Sequence, residues 1–151
     1  MKIVGVLGAG QMGAGIAQVL ATSGYSVCLV DVDLARSEKG KESIAKRLER
    51  AAAKGRIPQD LVQSTLLNIQ PFAGFEGFKE CDMVIEAATE DEALKRKLFR
   101  HIDEVVGEDC ILATNTSSIP ITRLASTTSR PEHVIGMHFM NPVPVMKLVE
   151  I

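Results

Sequence analysis

The sequence has no tryptophan, one tyrosine and five phenylalanines in 151 residues, so any core it builds is mostly aliphatic. Its three cysteines, Cys28, Cys81 and Cys110, are odd in number and form no CxxC pair. Each lies in or beside an apolar run, which predicts buried, reduced thiols in a reducing compartment and no disulfide framework. Neither charge dominates: 17 Lys and Arg stand against 19 Asp and Glu, for a net charge of -2. That balance gives no electrostatic reason to expect nucleic acid or an anionic membrane as partner. No apolar stretch approaches the roughly 20 residues that span a bilayer. The opening MKIVGVLGAG runs straight into glycines, without a long hydrophobic region or a small-residue cleavage site. A soluble, cytoplasmic chain is expected. His101 and His133 have no Cys or His partners at ligand spacing, so a surface position is expected for both and no metal site is expected anywhere.

What is present is alternation. KIVGVLG is a short strand-like run, and from Met12 the apolar positions take helical spacing through Ile16 and Val19. SVCLVD is a second strand. A long polar helix follows from Leu34 to about Gly55, with Ile44, Leu48 and Ala51 on one face, and then a helix opened by Pro58 and a short strand near Ile69. CDMVIEAA is another strand. Leu94, Leu98, Ile102 and Val105 mark the inner face of a further helix, CILATNTS a strand, ITRLAS a short helix, and HVIGMHFM one more strand before MKLVEI returns after NPVP. Strand and helix in alternation predict βαβ units, and continuously apolar strands predict a sheet covered on both faces. The length suits one domain. The expected architecture is α/β: a doubly wound, mostly parallel sheet of the Rossmann dinucleotide-binding type over residues 1–151, with a final antiparallel strand.

Gly8-Ala9-Gly10-Gln11-Met12-Gly13 is a GxGxxG stretch that leaves a strand and opens a helix, and Asp31 ends the next strand 18 residues after Gly13. That context makes a common pattern specific. Gly8 permits the tight turn, and Gly10 lets the backbone approach a pyrophosphate. Gly13 lets the helix lie close to the sheet with its positive end toward the phosphates. Asp31 accepts from the adenosine ribose hydroxyls and repels a 2′-phosphate. No arginine immediately follows it, so the cofactor expected is NAD rather than NADP.

Parallel α/β sheets bind ligands beyond the carboxyl ends of their strands. Glu86 to Glu90, Asn115 to Ser118 and His138 to Asn141 all fall there, on the edge that carries the glycine loop. GAGQMGAGIA, VIEAATED, NTSS and above all GMHFMNPVPVMKLVEI resemble the NAD-binding domain of the L-3-hydroxyacyl-CoA dehydrogenase family, most closely its short bacterial 3-hydroxybutyryl-CoA dehydrogenases. One departure is Met140, where the family usually has a second aromatic; it is expected to alter packing rather than chemistry. The resemblance implies His138 as the catalytic acid/base and Glu150 as its partner. It implies Ser117 as a hydrogen-bond donor to the substrate's 3-oxygen, and Asn141 and Asn115 as residues that order nicotinamide and substrate. It further implies Gln11, Met12, Glu90 and Lys95 as cofactor contacts.

Plainer roles exist for each of these residues. A histidine ending a strand is often structural, Glu150 alone is an edge carboxylate, and Ser117 alone is a cap near a Pro-initiated helix. His138 and Glu150 lie symmetrically about Pro144, so a reversal through NPVP would bring them together. Arg47, Arg50 and Lys54 fall on one helical face. They form either a solvated basic face or a landing site for the phosphates of coenzyme A, with Lys54 the residue that matches the family. The resemblance also implies a following helical domain that dimerises and encloses the acyl site, which these 151 residues would lack. Three functions are therefore in view: an NAD-dependent dehydrogenase acting on L-3-hydroxyacyl-CoA, a dinucleotide-binding module with little turnover of its own, and a free-acid β-hydroxyacid dehydrogenase. The last is disfavoured because its catalytic lysine and substrate motif are missing.

Overall fold

The computed structural model describes residues 2–151. Six parallel strands form one sheet: β1 (Ile3–Leu7), β2 (Ser26–Asp31), β3 (Ile69–Ala73), β4 (Met83–Glu86), β5 (Ile111–Thr114) and β6 (Val134–Gly136). Their order is β3-β2-β1-β4-β5-β6. The order reverses at β1, between β2 and β4, and this is the doubly wound arrangement that opens a ligand crevice at the reversal. Helices α1 (Gln11–Thr22), α2 (Leu34–Ala53) and α3 (Gln59–Leu67) precede β3, and α4 (Glu92–Val105) and α5 (Ile121–Ala125) serve the other half. Pro71 sits in β3, an edge strand, where a missing N–H is tolerated.

Two apolar layers hold the sheet. One contains Val4, Val6, Ile16, Leu29, Ile44, Leu48 and Ile85, under α1 and α2. The other contains Leu7, Phe78, Val84, Phe99, Ile102 and Leu112, under α4. The capping aspartates were not singled out from sequence. Asp33 accepts from the Arg36 amide at 2.8 Å and Asp91 from the Leu94 amide at 2.8 Å, each worth about 1 kcal/mol of helix stability.

Three expectations need correction. HVIGMHFM is not one strand: β6 ends at Gly136, and His138–Phe139 form β7, which leaves the main sheet to pair antiparallel with β8 (Val149–Glu150). The cause is a side chain. Asn115 Oδ1 accepts the Phe139 amide at 2.8 Å, taking the donor that continuation of the β5–β6 ladder would use. The inner face of α4 is also rotated from Leu94, Leu98, Ile102 and Val105: Lys95, Phe99 and Ile102 are buried, while Leu94 is 46% exposed. A periodicity count places a lysine outside, but this lysine has a buried carboxylate partner. His133 is half-buried rather than exposed, with Nδ1 enclosed and unpartnered, whereas His101 is exposed and edge-on to Phe75. Cys28 is half-buried, Cys81 and Cys110 are buried, and all three are free. Among the described residues no helix is long and apolar enough to cross a membrane.

Candidate cofactor site and His138–Glu150 pair

The crevice starts where β1 becomes α1. Gly8 has φ of +102°, a region that L side chains rarely adopt. A Cβ placed on Gly13 would lie 1.7 Å from the Gly8 carbonyl oxygen, so only glycine lets α1 close onto the loop. A Cβ on Gly10 would meet nothing within 4 Å; the space before it is open. No side chain caps α1, which leaves its first amide groups for an outside acceptor. The cradle fits a pyrophosphate.

Asp31 is fixed at the end of β2. Its Oδ2 accepts the Ala9 amide at 2.7 Å and its Oδ1 the Val32 amide at 2.7 Å. Each oxygen keeps capacity for a ribose hydroxyl. A cleft of about 540 Å³ runs from Gly8 and Asp31 past Val32, Phe75, Leu94 and Leu98. Its walls are apolar and suit a flat heterocycle, which explains why Leu94 faces outward. A second cleft of about 420 Å³ lies between the glycine loop and α2, and Arg36, Lys39 and Arg47 line it with Asp31 and Gln11. Arg47 donates to Gln18 Oε1 at 2.9 Å and keeps a buried, unpartnered Nη2, and burial lowers its guanidinium below the usual range. The basic face therefore divides. Arg47 turns inward to the glycine loop, Arg50 and Lys54 stay exposed, and Lys54 does not line that cleft. Arg36 lies five residues beyond Asp31, outside the local pattern around the acidic residue.

The other loops at this edge are tied to one another. The Asn115 amide donates to Glu86 O at 2.9 Å and the Met137 amide to Thr114 O at 2.8 Å, carrying the ladder past the strand ends. Thr116 Oγ1 donates to Glu90 Oε2 at 2.9 Å and accepts from the Ile119 amide at 3.1 Å. Gln11 Nε2 donates to Asn141 Oδ1 at 3.3 Å, joining α1 to the turn after β7. Ser117 is exposed at the loop tip. A small cavity of about 210 Å³ is lined by Met12, Thr89, Glu90, Lys95 and Asn115, so residues from α1, α4 and the loops after β4 and β5 meet there. Lys95 reaches it from below, 1% exposed and ion-paired with Glu86.

His138 and Glu150 are direct partners in the β7–β8 register, and Nδ1 of the imidazole lies 2.9 Å from Glu150 Oε2. The turn between them holds at Pro142, whose carbonyl accepts from the Val145 and Met146 amides, each at 3.0 Å. With Glu150 ionised, Nδ1 donates and Nε2 remains an acceptor. The side chains are 28% and 61% exposed, so the pair is open to solvent on one side.

Comparison with known proteins agrees with the dinucleotide-binding fold. The family model for the 3-hydroxyacyl-CoA dehydrogenase NAD binding domain matches residues 3–151. The 3-hydroxybutyryl-CoA dehydrogenase of Bradyrhizobium diazoefficiens is 46% identical over 151 residues, all of this chain and 52% of that protein. The enzyme of the same name from Clostridioides difficile is 43% identical over 151 residues, again all of this chain and 53% of that protein. Among solved structures, (S)-3-hydroxybutyryl-CoA dehydrogenase from Ralstonia eutropha superimposes with a TM-score of 0.96 at 47% identity, covering 99% of this chain and 53% of that one. The chain spans about half the length of the relatives it matches.

Proposed function

The chain belongs to the 3-hydroxyacyl-CoA dehydrogenase family as its NAD-binding domain, and from that premise we propose that it is the cofactor-binding and proton-transfer half of an enzyme interconverting L-3-hydroxyacyl-CoA and 3-ketoacyl-CoA, with 3-hydroxybutyryl-CoA the substrate. The observation that carries the reading is the registered, hydrogen-bonded His138–Glu150 pair on the edge that holds the dinucleotide cradle.

NAD, when bound, supplies the hydride acceptor, and NADH the donor. Gly8, Gly10 and Gly13 admit its phosphates to the amides of Gln11 and Met12, and Asp31 holds its adenosine ribose. His138 takes the 3-hydroxyl proton at Nε2 during oxidation and returns it during reduction, a task suited to an imidazole near neutral pH. Glu150 keeps Nδ1 protonated and stabilises the imidazolium, the part an acidic partner plays in other triads. Ser117 donates to the substrate's 3-oxygen. Asn115 and Asn141 have their carbonyl oxygens occupied by the Phe139 amide and by Gln11, so each offers its amide nitrogen as donor. Glu90 and Lys95 line the cavity on the side of the crevice away from Asp31, which suits contact with the nicotinamide half. Lys54 meets a phosphate of coenzyme A. In the full-length protein a helical domain closes over the acyl group and forms a homodimer.

The exposure of His138 and Glu150 favours a second reading for the present 151 residues, as a module that binds NAD and turns over slowly by itself. One experiment separates the readings. NADH binding is measured for this chain, and acetoacetyl-CoA-dependent NADH oxidation is measured for this chain and for a chain continued through a helical domain. Binding by both with turnover in the longer one supports the module reading for this half. Turnover of a free hydroxy acid, with none of acetoacetyl-CoA in either, overturns the acyl-CoA assignment.

A further inference from the structure

Beneath the small cavity lies the most enclosed charged group of the crevice. Glu86 ends β4 with 0% exposure, and all of its carboxylate contacts lead to the cofactor edge. Oε1 accepts the Ala88 amide at 2.8 Å and the Thr89 amide at 3.4 Å. Oε2 accepts the Thr114 hydroxyl at 3.0 Å and pairs with Lys95 Nζ, which also contacts Thr114 Oγ1 at 3.3 Å. An ion pair in such a place costs more in desolvation than a surface pair and adds little stability over an apolar substitute. Its place suggests another use. Asp31 and the pyrophosphate cradle put the adenosine half on the β2 side of the reversal, so the nicotinamide half lies across β1, toward β4 and β5. Lys95 lines the cavity there.

The nicotinamide ring is cationic in NAD and neutral in NADH. An unbalanced ammonium beside it would bias the site against NAD and toward NADH, and an unbalanced carboxylate would do the reverse. We propose that Glu86 is a positioning residue that holds Lys95 as a net-neutral pair under the nicotinamide half, so that the site binds the oxidised and reduced cofactor comparably. Lys95 gives a fixed donor to the cavity, and Glu86 cancels its charge while tying down residues 88–89. The inference rests on the cofactor assignment above. It adds a role for Glu86, which does not line the cavity.

The test compares dissociation constants of NAD and NADH for the wild type, Glu86→Gln, Lys95→Met and the double variant. Glutamine retains an oxygen for the two amides and removes the charge, while its NH2 replaces the acceptor that faced Lys95 and Thr114. The ratio Kd(NAD)/Kd(NADH) should rise about 50-fold in Glu86→Gln, the scale for a unit charge about 7 Å away at an effective dielectric constant near 20. It should fall in Lys95→Met and return toward the wild-type value in the double variant. If Glu86→Gln does not fold, Lys95→Met and the isosteric double variant still carry the comparison. Equal weakening of both cofactors in every variant, or an unchanged ratio in Lys95→Met, overturns the proposal and leaves only a structural pair. Asp31→Ala serves as the control for the underlying reading. A wild type that binds neither cofactor, or an Asp31→Ala variant that binds as well as wild type, refutes the cofactor assignment itself.

Discussion

The dinucleotide cradle and the His138–Glu150 arm are built by different means. The cradle is main chain: a positive-φ glycine, a glycine with no room for a Cβ, uncapped amides, and an aspartate pinned by two backbone donors. It sits between central strands over a buried core. The arm is a pair of two-residue strands, β7 and β8, set outside the main sheet and holding exposed side chains. Phe139 and Val143 anchor it in the core, and its orientation depends on side-chain ties, namely Asn115 to Phe139, Gln11 to Asn141, and His138 to Glu150. Binding is therefore built into the main chain, while the proton-transfer pair is oriented by a few polar contacts that can be removed one at a time. If so, substitutions in the arm should cost turnover with little change in cofactor affinity, and substitutions in the cradle should cost affinity first.

His138→Gln gives the largest separation. In the protein that turns over acetoacetyl-CoA, the loss of a general acid/base should lower kcat on the order of 100- to 10,000-fold, with NADH affinity within about twofold of wild type. A loss below tenfold would remove His138 from the base role. Gly13→Ala is the converse. A Cβ 1.7 Å from a carbonyl oxygen forces α1 off the loop, and overpacking of this kind costs about 3 kcal/mol or more at its severe end. NADH binding should be lost, and Tm should fall. Retained NADH affinity would mean that the loop can rearrange, and that the cradle is less rigid than its geometry implies.

A third test concerns how the strand before the arm is held. Asp103 on α4 receives the Ser129 amide at 2.7 Å, the Ser129 hydroxyl at 3.2 Å and Arg130 Nε at 2.6 Å, just ahead of β6. Burial alone raises the Asp103 carboxyl, but the Ser129 amide, the Arg130 guanidinium and the Ser129 hydroxyl outweigh it and hold the group below its usual value. A depressed carboxylate contributes stability that is present above its unfolded value, near 4, and lost as pH falls through the lower folded one. Asp103→Asn should therefore cost about 1–3 kcal/mol at pH 7 and less as pH drops toward 3, measured by urea unfolding at each pH. Equal destabilisation across that range would assign the effect to shape rather than charge.

The same contrast governs what could be read from the residues alone. GxGxxG, Asp31 and the alternation of strands and helices carry their meaning in local spacing, and the cradle was legible from them. The His138–Glu150 pairing was legible only through the resemblance and the symmetry about Pro144. The break after Gly136 was not legible, because Asn115, more than 20 positions earlier, takes the Phe139 amide. The buried face of α4 was misplaced for a related reason. A lysine reads as exposed until its carboxylate partner on β4 is known, and Glu86 and Lys95 meet only in the folded crevice. Arg47 was legible only as part of a basic helical face and Arg36 not at all, because their meeting in the cleft beside the glycine loop depends on tertiary placement.

Lys54 gives the smallest expected effect and tests a region outside both parts of the comparison. It caps α2 at the end far from Asp33 and is exposed, and an exposed charge acting on a phosphate contributes no more than about 1 kcal/mol. Lys54→Ala should then raise KM for acetoacetyl-CoA by about two- to fivefold, with kcat and NADH affinity unchanged, and the increase should shrink in high salt because exposed charges are screened. A change in NADH affinity would place Lys54 with the cradle, against its distance along α2 from the glycine loop. No change in KM, together with a rise on Arg47→Ala, would move the phosphate contact inward to the cleft where Arg36, Lys39 and Arg47 gather.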